Sequence, residues 1–264
     1  MNNTVPLYNV GDAITGTVDI KLTPSFGITH QGVEIDFLGQ IVSKCNRFEV
    51  HEFDVISKQL LPPGPLDAST RINFEFDSFE TKYECFTGSS VKMRYLLRVT
   101  ARTPNGITSD ELEIFMCKPA LLQNRVSIPI RSHLISDEFK MTVSFKKDSF
   151  HLEDIIEGEV TFQKVNVNLN VTGFQIMRQE HDEGGILAQH LLKIQPVVNG
   201  NPPIGVSIPI RMELADLNLS PSMFKIENLF RIFYFVRISC LDEFDRIFIR
   251  DEIIEIYRRA DQRA

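Results

Sequence analysis

Two short clusters in this chain contain residue types that could do chemistry. His51-Glu52 begins like the helix of a zinc protease, but the second His that would complete the metal site four residues after the first is absent. His181-Asp182-Glu183 contains the His-x-Glu of a zinc deaminase, but no Pro-Cys-x-x-Cys accompanies it. Phosphate-binding glycine loops and a Gly-x-Ser-x-Gly elbow are also missing from the sequence. The sequence therefore predicts a protein that is not an enzyme and holds no metal ion or cofactor.

Two other segments suggest binding rather than catalysis. The first runs from Val165 to Val171 and alternates strictly, with asparagine at every polar position. The pattern alone favours a half-buried strand with an uncharged wet face. Because Lys and Glu usually protect exposed edges, the segment could also be an open edge strand that captures a peptide through its backbone. Under that hypothesis the contact residues are Val165, Val167, Asn168 and Leu169.

The second segment, Leu219–Asn228, carries apolar residues inside a stretch punctuated by Pro, Ser and Asn. Apolar side chains in such a loop either fold back onto their own domain or form a partner site, where Met and Phe are favoured. The pattern alone favours folding back. The candidates for a partner site are Leu219, Met223, Phe224 and Ile226.

Alternating apolar and polar residues dominate the remainder of the chain, as in Val33–Phe37 and Ile72–Asp77. This period of two residues predicts half-buried antiparallel strands. Asn105-Gly106 between two such runs predicts a tight hairpin. The spacing of Ile186, Leu187, His190, Leu191 and Ile194 also fits a short helix, and the same ambiguity applies to Ile253, Ile254 and Tyr257.

A repeat organises the whole chain. The stretch from Tyr8 to Val18 recurs from Phe150 to Val160, with matched aromatic, Asp, Ile, Gly and Val residues 142 positions apart. A repeat of this length indicates two complete domains rather than a solenoid. We therefore expect two tandem β-sandwich domains with little helix, at residues 1–132 and 133–264, with the boundary between Pro119 and Asp137.

Composition narrows the class of function. The formal net charge of −7 argues against nucleic-acid binding, which depends on Lys and Arg neutralising phosphates. Cys45, Cys85, Cys117 and Cys240 are scattered without a paired motif, which favours reduced, buried thiols. A signal sequence and a bilayer-spanning apolar stretch are not apparent, so the expected location is cytoplasmic.

The aromatic-x-x-Gly-Asp-x-Ile-x-Gly-x-Val motif at the start of the first half resembles the motif that begins a domain of the arrestin fold. The finer resemblance is to the vacuolar protein sorting-associated protein 26 family, the arrestin-like subunit of retromer, and covers essentially the whole chain. The stretches that carry it are Thr29–Val33, Phe37–Ile41, His51–Phe53, Phe74–Phe76, Tyr83-Glu84, Tyr95–Thr100, Phe150–Ile156, Ser207–Arg211 and Asp251–Ile254.

This resemblance implies two arrestin-like β-sandwiches acting as a non-enzymatic adaptor in a coat that is recruited peripherally to endosomes. It implies docking of the Leu219–Asn228 loop on an α-solenoid subunit, vacuolar protein sorting-associated protein 35. It also implies capture of cargo tails along Val165–Val171 together with a phox-homology sorting nexin, and only indirect membrane contact.

Two alternatives are other trafficking adaptors, and a third belongs to a different class. The retriever-type paralogue is the nearest, and His30-Gln31-Gly32 does not separate it from retromer. An α-arrestin adaptor for ubiquitin ligases is weaker, because Pro62-Pro63 is not part of a Pro-Pro-x-Tyr motif. A carbohydrate-binding β-sandwich or hydrolase would need an aromatic platform or paired carboxylates, and the chain contains no Trp.

Overall fold

The chain forms two compact units, an N-terminal unit (Met1–Lys118) and a C-terminal unit (Pro119–Ala264). In the computed structural model, residues 5–22, 27–45, 50–78, 80–119 and 127–259 are described. Over these residues every regular element is a β-strand, and none is a helix long and apolar enough to cross a membrane. The expected all-β class with two sandwich-like halves is therefore confirmed.

The N-terminal unit is built around one large sheet. Its strands are β1 (Leu7–Asn9), β2 (Ile14–Ile20), β3 (Ile28–His30), β4 (Val33–Ser43), β5 (His51–Leu61), β6 (Gly64–Leu66), β7 (Thr70–Phe76), β8 (Phe86–Thr87), β9 (Val91–Thr103) and β10 (Gly106–Cys117). The order β1-β10-β9-β4-β5 defines the large sheet, β8 pairs with β9, and β2–β7 and β3–β6 form two-stranded ribbons. Phe37 of β4 packs between Phe76 of β7 and Tyr95 of β9, with ring centroids 6.3 and 5.3 Å away, so the β2–β7 ribbon covers one face of the sheet.

The C-terminal unit is a sandwich of two sheets. Its strands are β11 (Ile130–Ile135), β12 (Phe139–Phe145), β13 (Ser149–His151), β14 (Ile155–Val165), β15 (Leu169–Asp182), β16 (Gly185–Asn199), β17 (Ser207–Glu213), β18 (Met223–Ile226), β19 (Phe230–Asp242) and β20 (Ile247–Tyr257). One sheet has the order β11-β12-β14-β17, and the other has the order β13-β20-β19-β15-β16, with β18 beside β19. Phe145 meets Phe174 edge to face across the two sheets, 6.2 Å between ring centroids, which places the core between them.

The sequence repeat corresponds to a structural repeat. In each unit the short entry strand pairs in parallel with the last strand, so that Tyr8 faces Met116 and Phe150 faces Ile256. The following turn is closed by the repeated aspartate. Asp12 Oδ2 accepts a hydrogen bond from Asn9 N at 2.8 Å, and Asp154 Oδ2 accepts one from His151 N at 3.0 Å. The shared Asp is therefore a turn residue that directs the chain into β2 or β14.

The structure resolves several local expectations. Asn105-Gly106 forms the predicted β9–β10 hairpin, in which Gly106 has a φ of 134° that favours glycine. The two segments that also fitted a helix are the strands β16 and β20. A domain boundary after residue 132 would cut through β11, and the two compact units divide instead after Lys118. Residues 120–126 lie outside the described residues.

Three of the four cysteines follow the expectation of burial. Cys85, Cys117 and Cys240 are buried and Cys45 is exposed, and all four are free. Burial raises the pKa of both Cys85 and Cys240 to about 11, so these thiols stay protonated near neutral pH. Cys45 departs from the expectation because it lies two residues beyond the end of β4, where the chain has already left the core.

Candidate partner-binding surfaces

The first chemical cluster of the sequence has a structural role. Glu52 lies on β5 and its Oε1 accepts hydrogen bonds from Arg98 Nη2 at 2.8 Å and from Gln40 Nε2 at 2.9 Å. Hydrogen bonds from Arg98 and Gln40 lower the pKa of Glu52, so it is an ionised partner in a cross-strand network. The network joins Glu52 of β5 to Gln40 of β4 and Arg98 of β9.

The second cluster lies at the end of the β15–β16 hairpin. His181 is buried, with Nε2 2.8 Å from Gln179 Oε1 and its ring centroid 4.8 Å from that of Phe233. Burial, together with the charge of Arg231, lowers the pKa of His181. Glu183 is exposed in the adjoining turn. No group of three His, Cys, Asp or Glu side chains among the residues described in the structure could hold a metal ion.

The first half of the Leu219–Asn228 loop is hydrogen-bonded to neighbouring strands. Tyr234 Oη accepts a hydrogen bond from Ser220 N at 3.2 Å. Ser222 N donates to Ile256 O at 2.8 Å, and Ser222 Oγ accepts from Ile256 N at 2.9 Å. These bonds attach the first half of the loop to the neighbouring strands β19 and β20.

The apolar residues of this loop differ in exposure. Phe224 is 51 % exposed, whereas Leu219 and Met223 are half-buried. Ile226 is fully buried, which corrects the expectation that it contacts a partner. Residues two apart on a regular strand share a face, so Phe224 and Ile226 would be expected to have similar exposure. The pairing of β18 is irregular between Met223 and Ile226, and the two side chains therefore differ in exposure.

Charged side chains surround the exposed phenylalanine. Phe224 lines a shallow cavity of about 300 Å³ together with Asp182, Glu183, Lys225 and Arg231. An exposed aromatic group with a polar rim is the usual composition of a protein interface. No local pattern in the sequence indicates these rim residues, because Asp182, Glu183 and Arg231 come from the β15–β16 hairpin and from β19, which only the fold brings beside the loop.

The second predicted site is contradicted by the topology. Val165 ends β14 and Leu169 begins β15, which belong to different sheets, so Val165–Val171 crosses between sheets and is not an edge strand. Asn168 N donates to Glu243 Oε1 at 3.3 Å, and Leu169 N donates to Asn201 Oδ1 at 2.8 Å. Val167 is buried. The backbone donors of Asn168 and Leu169 are therefore already in use.

Comparison with known proteins agrees with this fold. The family model described as vacuolar protein sorting-associated protein 26 matches residues 1–245. The chain belongs to that family. It is 30% identical to vacuolar protein sorting-associated protein 26B of Danio rerio, covering 97% of this chain and 78% of the relative. The chain is also 30% identical to vacuolar protein sorting-associated protein 26 of Caenorhabditis elegans and to protein 26B of Homo sapiens, over 97% of this chain in both cases. These matches cover 73% and 77% of the respective relatives.

Family membership confirms the resemblance that the sequence suggested. The chain is therefore a member of a family of vacuolar protein sorting proteins, whose shared role is protein trafficking. In this family member, Phe224 and its charged rim form one surface that presents an exposed aromatic group.

Proposed function

We propose that this chain is a non-enzymatic adaptor subunit of a retromer-type endosomal coat. The proposal rests on family membership together with one observation, the exposed Phe224 on a loop whose backbone is fixed by Tyr234 and Ile256. A fixed loop loses little conformational entropy when a partner binds, so it can present an apolar side chain at low cost.

The proposed partner is the α-solenoid subunit of the coat, vacuolar protein sorting-associated protein 35. A solenoid offers grooves between its helix pairs, and a single protruding aromatic side chain is suited to such a groove. In this proposal Phe224 is the principal contact and the half-buried Leu219 and Met223 support it. Ile226 anchors the loop from inside the core.

The proposal further includes selection of cargo tails together with a phox-homology sorting nexin, and peripheral recruitment to endosomes from the cytoplasm. Family membership is the support for these steps. Val165–Val171 takes no part in the proposed capture of cargo, since the topology places it between sheets.

Calorimetric titration of the chain with the N-terminal part of a retromer-type solenoid subunit tests the proposal. We expect one-to-one binding that Phe224→Asp weakens at least about thirtyfold, as for a central interface residue. The matched control is Phe244→Asp, since Phe244 is 67% exposed in the same unit and lies outside the loop. Unchanged binding by Phe224→Asp would refute the docking surface. Binding only to a retriever-type solenoid would instead assign the chain to that paralogous complex.

A further inference from the structure

The loop that carries Phe224 also contains a serine directly followed by a proline. Ser220-Pro221 lies in the irregular segment between the end of β17 at Glu213 and the start of β18 at Met223. Because a proline disfavours the helical conformation of the residue before it, Ser220 favours an extended backbone. A serine before a proline in an extended, irregular segment is the form of substrate that proline-directed protein kinases modify.

The side chain of Ser220 lies against a buried neutral group. Its Oγ is 3.1 Å from the hydroxyl oxygen of Tyr234, and its backbone N donates to the same oxygen at 3.2 Å. Tyr234 is 0% exposed, whereas Ser220 is half-buried. The space around the Ser220 Oγ is therefore fitted to an uncharged hydroxyl group.

A phosphate group on this oxygen would not fit that space. It would carry a charge of about −1.5 to −2 and three strong acceptor oxygens. The facing hydroxyl of Tyr234 can donate only one hydrogen bond. Because a charge beside a buried neutral group is costly, the phosphate would turn toward water and draw Ser220 away from Tyr234. The bonds between Ser222 and Ile256, which are the next attachment of the loop, should then break as well.

We propose that Ser220 is a phosphorylation site for a proline-directed protein kinase, and that the phosphate releases the first half of the Leu219–Asn228 loop from β19 and β20. In the transfer, Ser220 Oγ bonds to the γ-phosphorus of a nucleoside triphosphate. The bond from that phosphorus to the nucleoside diphosphate breaks, and the hydroxyl proton passes to the kinase.

The release of the loop is a property of this chain alone, whereas its effect on docking rests on the proposed function. The phosphate would place charge between Leu219 and Met223, the two half-buried residues that support the proposed contact. Release of the loop would also displace Phe224. Both changes should weaken binding of the solenoid subunit, since charge in an apolar interface is unfavourable.

Two other hydroxyl residues of the sequence precede a proline, in Thr23-Pro24 and Thr103-Pro104. Thr23 lies outside the described residues. Thr103 ends β9, and its Oγ1 donates to Gly106 O at 3.0 Å across the tight turn into β10. Because the chain reverses direction at once, Thr103 does not present an extended segment to a kinase. It is therefore the matched control for Ser220.

The test treats the full chain with a purified proline-directed kinase, magnesium and ATP, and maps the phosphate by mass spectrometry. We expect Ser220 to be modified faster than Thr103. In the phosphorylated chain, the amides of Ser222 and Ile256 should exchange hydrogen at least about tenfold faster than in the unmodified chain. Ser220→Ala treated in the same way should show unchanged exchange, because it lacks the acceptor oxygen. Absence of phosphate from Ser220, or unchanged exchange after its modification, would overturn the proposal.

Calorimetric titration with the N-terminal part of the solenoid subunit tests the effect on docking. Phosphorylation of Ser220 should weaken binding at least about tenfold, and Ser220→Glu should show part of this loss. Kinase-treated Ser220→Ala and the variant Thr103→Glu should bind like the unmodified chain. Equal binding by the phosphorylated and unmodified chains would overturn the control of docking by Ser220. Failure of the unmodified chain to bind would instead refute the docking surface, and exchange at Ser222 and Ile256 would still decide the release of the loop.

Discussion

The repeated glycines Gly16 and Gly158 should respond differently to the same substitution. An added Cβ at Gly158 would lie 2.4 Å from Ser144 O and 2.7 Å from the ring of Phe145. Ser144 and Phe145 belong to β12, which pairs with β14 at this point. Because the nearest atom is a backbone oxygen of the paired strand, Gly158→Ala must separate the two strands.

At Gly16 the obstacle can move. An added Cβ would lie 2.7 and 2.8 Å from the ring atoms Cζ and Cε1 of Phe74, and no backbone atom is among the three nearest. Phe74 is half-buried and lines a slot of about 660 Å³ between β2 and β10. Its ring can therefore turn into the slot and relieve the contact without opening the β2–β7 ribbon.

These geometries give different energies. Overpacking that forces backbone shifts costs about 1–3 kcal/mol, and replacing Gly by Ala recovers about 0.4–1 kcal/mol through the unfolded chain. Gly158→Ala should therefore destabilise the C-terminal unit by about 2 kcal/mol. Gly16→Ala should change the stability of the N-terminal unit by less than about 1 kcal/mol.

Native-state hydrogen exchange resolved by mass spectrometry is the suitable assay, because two units need not unfold in one step. In Gly158→Ala, the protected amides of β12 and β14 should exchange about thirtyfold faster, which corresponds to about 2 kcal/mol. In Gly16→Ala, the amides of β2 and β7 should change less than about fivefold. Equal acceleration in both variants would refute the argument from the mobility of Phe74.

Three further predictions follow from the same structure. Because the pKa of His181 is lowered below its ordinary value of 6.5, the folded state disfavours the charged form of this side chain. The stability of the chain should therefore fall as the pH drops below 6.5. In thermal unfolding, the stability of His181→Gln should fall less steeply with pH than that of the unchanged chain. N-ethylmaleimide should alkylate the exposed Cys45 in the native chain at least about tenfold faster than the buried Cys85, whose pKa is about 11, as measured by peptide mapping. Equal labelling of the two thiols would contradict the burial of Cys85. Denaturant unfolding should show that Ile226→Ala costs about 2–4 kcal/mol, whereas Phe224→Ala costs about 0.5 kcal/mol or less, and a reversed order would exchange their assigned roles.

The sequence predicted the strand-rich fold because strand alternation and turn residues are local signals. It was ambiguous at β16 for a physical reason. Relative to β15, the strand carries an unpaired extra residue at Leu187, Leu192 and Val197. Bulges at such spacing disrupt the two-residue period and imitate the spacing of a helical stripe. The ambiguity therefore arose from pairing with another strand, which no local pattern records.

The candidate contact residues show the same limit. Phe224 and Ile226 have the same apolar character in the sequence, but the irregular pairing of β18 with β19 exposes one and buries the other. The sequence also hides the difference in burial between Val18 and Val160, since the two residues occupy matched positions of the repeat. Only the presence of β12 beside one of them makes their burial different.

The sequence alone was enough to predict the duplicated unit, because the stretch from Tyr8 to Val18 recurs 142 positions later. It was also enough to predict the strand class, because alternation and turn residues are local signals. The tertiary structure decided which backbone edges are open. It placed Val165–Val171 between two sheets and left one edge of β2 without a partner among the described residues. An edge is defined by the strand that is or is not beside it, and that strand can come from anywhere in the chain.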